Sequence, residues 1–217
     1  MLFENWGRVS YLEGWERQRL YVEDRILGRS QDKIIFCEHD PVVTLGRGSQ
    51  RDPSEKEKLN GATGIPIFEI ERGGLATYHG PGQIVVYPIV KLMSGGKRGP
   101  FFSGVHGLIR SLENIVAECL KKNYGLLAGP IPDKTGVWVK GTRKIASIGI
   151  SAKRWVSYHG LALNISTGGE PWKAFNPCGF DPSVMTDICT ETGQNQIEFE
   201  QVRSKLEVSF REFLKHV

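Results

Sequence analysis

The run VWVKGTRKIASIGISAKRWVSYHGLALNI, residues 137–165, carries the clearest architectural signal in the chain. Val137–Lys140 and Lys144–Ile150 are apolar, β-branched runs on either side of Gly141-Thr142-Arg143, which predicts a hairpin. Trp155–Tyr158 and Leu161–Ile165 follow as two more strand-like segments. Several strands in succession favour an α+β fold over an alternating, doubly wound sheet.

Working outward, Lys33–Cys37 and Val42–Leu45 read as buried strands divided by Asp40-Pro41, and Pro66–Glu71 and Ile84–Val90 read as two further strands. The stretch RGGLATYHGPGQ, residues 72–83, is predicted to be a shaped loop, having four glycines and a proline in twelve residues. Three helices frame these strands. Ser10 and Glu13 form a capping box ahead of Leu12, Trp15, Val22 and Ile26, giving a helix over 11–27. Ser103 is placed to cap a second helix, whose apolar face is Val105, Leu108, Ile109, Leu112, Ile115, Val116, Cys119 and Leu120. Phe199, Val202, Leu206, Phe210 and Phe213 mark a third. Residues 47–63 hold seven charged side chains and read as a solvated loop.

Composition narrows the function classes. With 217 residues and no break in composition, one catalytic domain over 1–217 is expected. A net charge of +4 is too small for a nucleic-acid-binding surface. The N-terminal stretch has scattered charges where a signal peptide needs an apolar core, and no segment is apolar enough for a membrane span, so a cytoplasmic protein is expected. The four cysteines, Cys37, Cys119, Cys178 and Cys189, include no C-x-x-C pair, which argues against a disulfide scaffold or a local zinc site; no metal is expected. Glycine, at 26 residues, is in excess of the usual proportion of roughly 7% and points to tight turns or close backbone approach to a ligand.

Cys178 lies between Pro177 and Gly179, a poor setting for an inert core thiol and a good one for an accessible nucleophile. Such a cysteine needs a nearby cation or base to form its thiolate, and Lys144, His79 and His159 are the available partners. An ammonium about 4 Å from the sulfur would interact by about 4 kcal/mol at an effective dielectric near 20, before desolvation. His159 reads equally well as a structural histidine. The glycine-rich stretch lacks the spacing of a phosphate loop, so no nucleotide cofactor is indicated.

Taken together and in order, EHDPVVTLGR (38–47), RGGLATYHGPGQ (72–83), KIASIGI (144–150), HGLALNI (159–165) and NPCG (176–179) make the chain resemble the lipoyl(octanoyl) transferases. The resemblance implies an α+β fold with a mixed β-sheet and flanking helices, like the catalytic domain of biotin and lipoate protein ligases. It implies an acyltransferase that moves octanoyl from octanoyl acyl carrier protein to the acceptor lysine of lipoyl domains, those of 2-oxoacid dehydrogenase complexes and the glycine cleavage H protein, without a cofactor. Under it, Cys178 is the nucleophile and Lys144 lowers its pKa. Substrate is bound by Arg72, Gly73, Gly74, Leu75, Ala76, Thr77, Tyr78 and His79, by Ser147, Ile148 and Gly149, and by Gly160, Leu161 and Ala162, with His159 as a supporting residue. Asp40 and the MTDI segment, 185–188, depart slightly from the family pattern. The alternative is an ATP-dependent lipoate-protein ligase of the same fold.

Overall fold

The computed structural model describes residues 1–51, 64–94, 97–98, 104–172 and 179–216. Cys178, Ser103 and most of the 47–63 segment lie outside the described residues. The strands are β1 (Leu2–Val9), β2 (Lys33–His39), β3 (Val42–Leu45), β4 (Ile67–Glu69), β5 (Ala76–His79), β6 (Gln83–Ile89), β7 (Met93–Ser94), β8 (Lys97–Arg98), β9 (Ala128–Ile131), β10 (Lys134–Val139), β11 (Arg143–Lys153) and β12 (Val156–Asn164). The helices are α1 (Tyr11–Ile26), α2 (Gly104–Tyr124), α3 (Ile188–Thr192) and α4 (Phe199–Leu214).

Seven strands form the main sheet in the order β1-β2-β6-β12-β11-β10-β9. Only β1 and β2 pair parallel, with α1 as their crossover; the other pairings are antiparallel, so the sheet is mixed. A smaller sheet, β4-β3-β5, is also mixed. Strand β1 was not foreseen, because LFENWGRV has only a weak alternation and is largely exposed or half-buried. Ala76–His79 is a strand rather than loop, pairing with β3, and the two segments predicted at 155–158 and 161–165 are one strand running through His159. The helices at 11–26 and 199–214 agree with the apolar spacing, and Ser10 Oγ accepts the Glu13 N–H as the capping box requires.

Both faces of the main sheet are covered, which explains the unbroken apolar run IIFC in β2. Ile34 and Phe36 pack with α2 and α4, while Ile35 and Cys37 face α1. Leu108, Leu112, Val116, Cys119 and Leu120 of α2 are fully buried, so Cys119 is a core thiol as its spacing predicted.

Two backbone irregularities break the alternation of the central strands. Val137 pairs with Ala146 but Trp138 pairs with Lys144, so β11 carries one extra residue, a bulge. Ile145 and Ala146 consequently both enter the α2 core, and Lys144 emerges on the opposite face, beside Trp138. In β12, His159 adopts φ +57°. Continuing the Leu161↔Val86 register places it opposite Pro88, which has no N–H to contribute. The His159 N–H leaves the ladder and donates to Gln18 Oε1 of α1 at 2.9 Å. Next to it, Gly160 permits β6 to come so close that an added Cβ would stand 1.8 Å from the Val86 carbonyl oxygen. Gly160→Ala should therefore destabilise the fold by about 3 kcal/mol, the upper end for overpacking, as measured by urea unfolding; wild-type stability in that variant would refute so close an approach.

Candidate functional site

On the α1 side of the main sheet, a cleft of ≈ 470 Å³, its mouth included, opens between the two sheets. Ser147, Ile148 and Gly149 of β11 and His159, Gly160, Leu161 and Ala162 of β12 line one wall. Gly149 and Gly160 pair directly across the strands, so no side chain fills the cleft between them. Val85 and Tyr87 of β6 extend that wall, Arg72, Gly73, Gly74, Thr77 and His79 line the facing one, and Tyr11 of α1 joins the lining.

The sites expected from the sequence divide accordingly. Ala76 and Tyr78 are not part of this wall: alternation along β5 turns them into an apolar cluster with Val43, Leu45 and Trp172. Leu75 sits by Gly179, where an added Cβ would come within 2.8 Å of its Cδ1. Tyr11, Val85 and Tyr87 carried no signal of their own, since an aromatic or valine on a helix or strand reads as core.

The Arg72 loop is fixed by its own guanidinium. Nη2 donates to the Thr44 carbonyl at 2.7 Å and to Thr44 Oγ1 at 2.9 Å, and Nη1 donates to the Gly73 carbonyl at 3.0 Å. The Arg47 and Gly48 amides donate back to the carbonyls of Arg72 and Gly74, and the Gly73 amide donates to Ile150 O of β11. Gly46 is needed here because a Cβ would lie 2.4 Å from Gly74 O. The loop is thus clamped to both sheets through backbone, leaving its glycines to shape the cleft.

His79 is held as a neutral imidazole of one tautomer. Gln83 uses its Nε2 to donate to Tyr78 O and Asn164 Oδ1, which leaves its Oε1 to accept from His79 Nδ1 at 2.8 Å. Asn164 Nδ2 donates to Thr186 O, and the Thr186 amide donates to Lys144 O, so a chain of buried amides runs from the cleft to the Lys144 backbone. Thr186 and Asp187, in the segment that departs from the family pattern, thus have structural work: Asp187 also caps α3 and accepts the Thr167 and Gly168 amides. His39 is likewise fixed, donating from Nδ1 to Val9 O and accepting the Tyr87 hydroxyl at Nε2, 2.6 Å away.

Lys144 is 2% exposed, and its Nζ lies 5.4 Å from the Trp138 ring centroid and 5.2 Å from that of Phe180. Gly136, at φ +125°, makes room for it: a Cβ there would stand 2.8 Å from Lys144 Cε and 2.5 Å from Ala146 O. Glu113 Oε1, wholly buried, accepts the Gly136 amide at 2.9 Å and holds this turn in place. Lys144 is not in the cleft wall; it lies beside it, three residues along β11 from Ser147.

This architecture is that of the lipoyl protein ligase A/B catalytic domain, whose family model matches residues 10–211. The chain is 40% identical over 186 residues to an octanoyltransferase of Alkalilimnicola ehrlichii, covering 84% of this chain and 78% of that protein. It is 35% identical over 215 residues to an octanoyltransferase of Bacteroides fragilis, covering 93% and 92%. It belongs to the octanoyltransferase family and is an enzyme of that family. Among solved structures, Plasmodium falciparum LipL1 in complex with lipoate shares the fold at 11% identity, with a TM-score of 0.73 over 99% of this chain and 62% of that one. The α+β ligase-like architecture expected from the sequence is thereby borne out.

Burial lowers the pKa of His79 to about 3, and burial also lowers those of His39 and His159. An unfolded histidine titrates near 6.5, so below that pH the unfolded chain binds protons that the native state does not. Their contribution to stability is complete above about 6.5 and is lost as the pH falls toward 3. The urea midpoint should drop steadily between pH 7 and 5. Imidazole ¹⁵N shifts should show His79 neutral and Nδ1-protonated throughout that range; titration of this ring near 6.5 would contradict its burial.

Proposed function

We propose that the enzyme transfers octanoyl from acyl carrier protein to the acceptor lysine of lipoyl domains through a thioester on Cys178. The observation that carries this reading is the setting of Lys144: its buried amine rests against Phe180, two residues after Cys178, while Gly179 abuts Leu75 of the glycine-rich loop. The chain leaving Cys178 therefore passes between the lysine and the glycine-rich loop. Among the described residues Lys144 has no carboxylate partner, which suits a cation that serves a thiolate.

The Cys178 thiolate attacks the carbonyl carbon of the donor thioester. The tetrahedral oxyanion collapses with loss of the carrier thiolate, which takes a proton from the Lys144 ammonium, so that octanoyl is left on Cys178 and Lys144 is left neutral. The acceptor lysine amine then attacks this second thioester. Its surplus proton is taken by Lys144 or returned to the departing Cys178 sulfur, and an amide is released. Thioester exchange is nearly balanced in energy and amide formation is downhill, so the sequence needs no ATP.

The cleft supplies recognition of the chain. Each buried methylene contributes about 0.8 kcal/mol, so an octanoyl tail would contribute roughly 5 kcal/mol. Both protein substrates are acidic in this family's reaction, and the +4 chain suits their electrostatic steering. Among the described residues no helix is long and apolar enough to cross a membrane, in keeping with a cytoplasmic reaction.

Mixing the enzyme with octanoyl acyl carrier protein, without ATP, should add one octanoyl increment to its intact mass. The adduct should map to the Cys178 peptide, be removed by hydroxylamine, and be discharged by an apo lipoyl domain faster than by water. Acceptor octanoylation with no adduct under rapid quench would show direct transfer.

Cys178→Ser should fold and lose transfer by at least a thousandfold, because serine lacks an accessible alkoxide. Lys144→Ala should slow both half-reactions. Lys144→Arg should not restore them, since arginine keeps its charge but cannot exchange protons near neutral pH; rescue by arginine in single-turnover assays would mean that charge alone is required.

A further inference from the structure

His159 occupies a face that strand alternation denies it. Leu161 and Leu163 point into the α2 core, and His159 has the same parity, yet its ring lines the cleft on the other side. The left-handed φ of +57° makes this turn, and Gln18 holds it by accepting the displaced amide. A positive φ at a buried, bulky residue is a strain that the surroundings must sustain.

The ring stands between two cavities. On one side is the cleft with Gly149, Gly160 and Ala162; on the other, the Tyr158 ring lies 4.8 Å away and Glu71 Oε2 lies 3.7 Å from Nε2. Tyr158 and Glu71 line a separate open groove against the outer side of α1. Nε2 and this Glu71 oxygen face each other beyond ordinary hydrogen-bond distance, and neither has another hydrogen-bond partner among the described residues.

The extent of the cleft along β12 matches the length of the chain. His159 is the cleft residue of β12 farthest from the level of Lys144, and from Ala162 to His159 the strand advances three residues, about 10 Å. The seven carbon–carbon bonds of an extended octanoyl group, each about 1.5 Å and zigzagging, span about 9 Å.

We propose that His159 is the specificity-determining residue that ends the acyl cleft, and that it restricts the enzyme to chains of about eight carbons by separating the cleft from the groove behind it. This rests on the reading of the cleft as the acyl site. Gln18 is the positioning residue that keeps the ring across the cleft.

The test compares kcat/KM for octanoyl, decanoyl and dodecanoyl acyl carrier proteins in the wild type, His159→Gly and Gly149→Ala. Glycine keeps the backbone N–H for Gln18 and accepts φ +57° without strain. His159→Gly should raise the dodecanoyl-to-octanoyl ratio at least tenfold, mainly through KM, and calorimetry should show the matching gain in dodecanoate binding. His159→Asn, also tolerant of positive φ, should give a smaller rise and carries the test if the glycine variant unfolds. Gly149→Ala should weaken octanoyl transfer, because its Cβ would enter the cleft 2.9 Å from Arg72 Cδ. If His159→Gly is folded and the ratio stays within twofold while Gly149→Ala is impaired, the chain stop is wrong and the acyl cleft stands. If Gly149→Ala transfers and binds octanoyl normally, the cleft is not the acyl site and both readings fall. Equal loss with every chain length in His159→Gly would give the imidazole a role in the chemistry and overturn the stop.

Discussion

Side chains on a strand alternate between faces, and in β11 and β12 one face is committed to the α2 core. Ala146 and Ile150 are bound to that face by burial, as are Leu161 and Leu163. A polar residue of the same parity would be forced into an apolar interior, at a cost of several kcal/mol if left without a partner. Lys144 and His159 both have that parity, and both escape it through the backbone. The bulge at Ile145 turns one, and a left-handed residue opposite Pro88 turns the other. Both departures bring a polar side chain to the α1 side of the sheet, His159 into the cleft wall and Lys144 beside it.

The surrounding elements hold those departures in place. Gly136 gives Lys144 its room, and Glu113, reaching from α2 to the Gly136 amide, fixes the backbone that provides it. Gln18 does for His159 what a ladder partner would otherwise do. The Arg72 guanidinium ties the smaller sheet to its neighbouring loop through Thr44, so the facing wall keeps its distance without side chains crossing the cleft. A hydrogen bond to a charged donor contributes about 1.5–3 kcal/mol, and leaving such a buried group unpaired costs more, so the clamp is hard to open partially.

Periodicity and turn chemistry made most of the fold legible. The apolar spacing of α2 and α4 and the capping box at Ser10 are local signals that tertiary structure had no reason to override. Strand β1 escaped because its residues are stabilised by parallel pairing with Lys33–His39, a long-range contact that leaves little mark on its own pattern. Ala76–His79 escaped because flanking glycines signal turns more strongly than four residues signal a strand. His79 and the Ser147–Gly149 and Gly160–Ala162 segments, named from the resemblance, do line the cleft, and Lys144 lies beside it. Ala76 and Tyr78 were assigned with their neighbours, although alternation along β5 sends them to the Trp172 cluster. Gln18 and Tyr87 gave no warning, since a helix-borne glutamine ordinarily faces water and a strand tyrosine ordinarily packs.

The bond from the His159 amide to Gln18 also couples two elements in time. Most strand amides are protected from solvent exchange by a neighbouring strand and exchange only when the sheet opens. This one is protected by a side chain carried on α1, so its proton is released whenever that helix lifts, while the ladder on either side remains closed. A single amide in the middle of a central strand thus records the local opening of the N-terminal helix, separately from global unfolding.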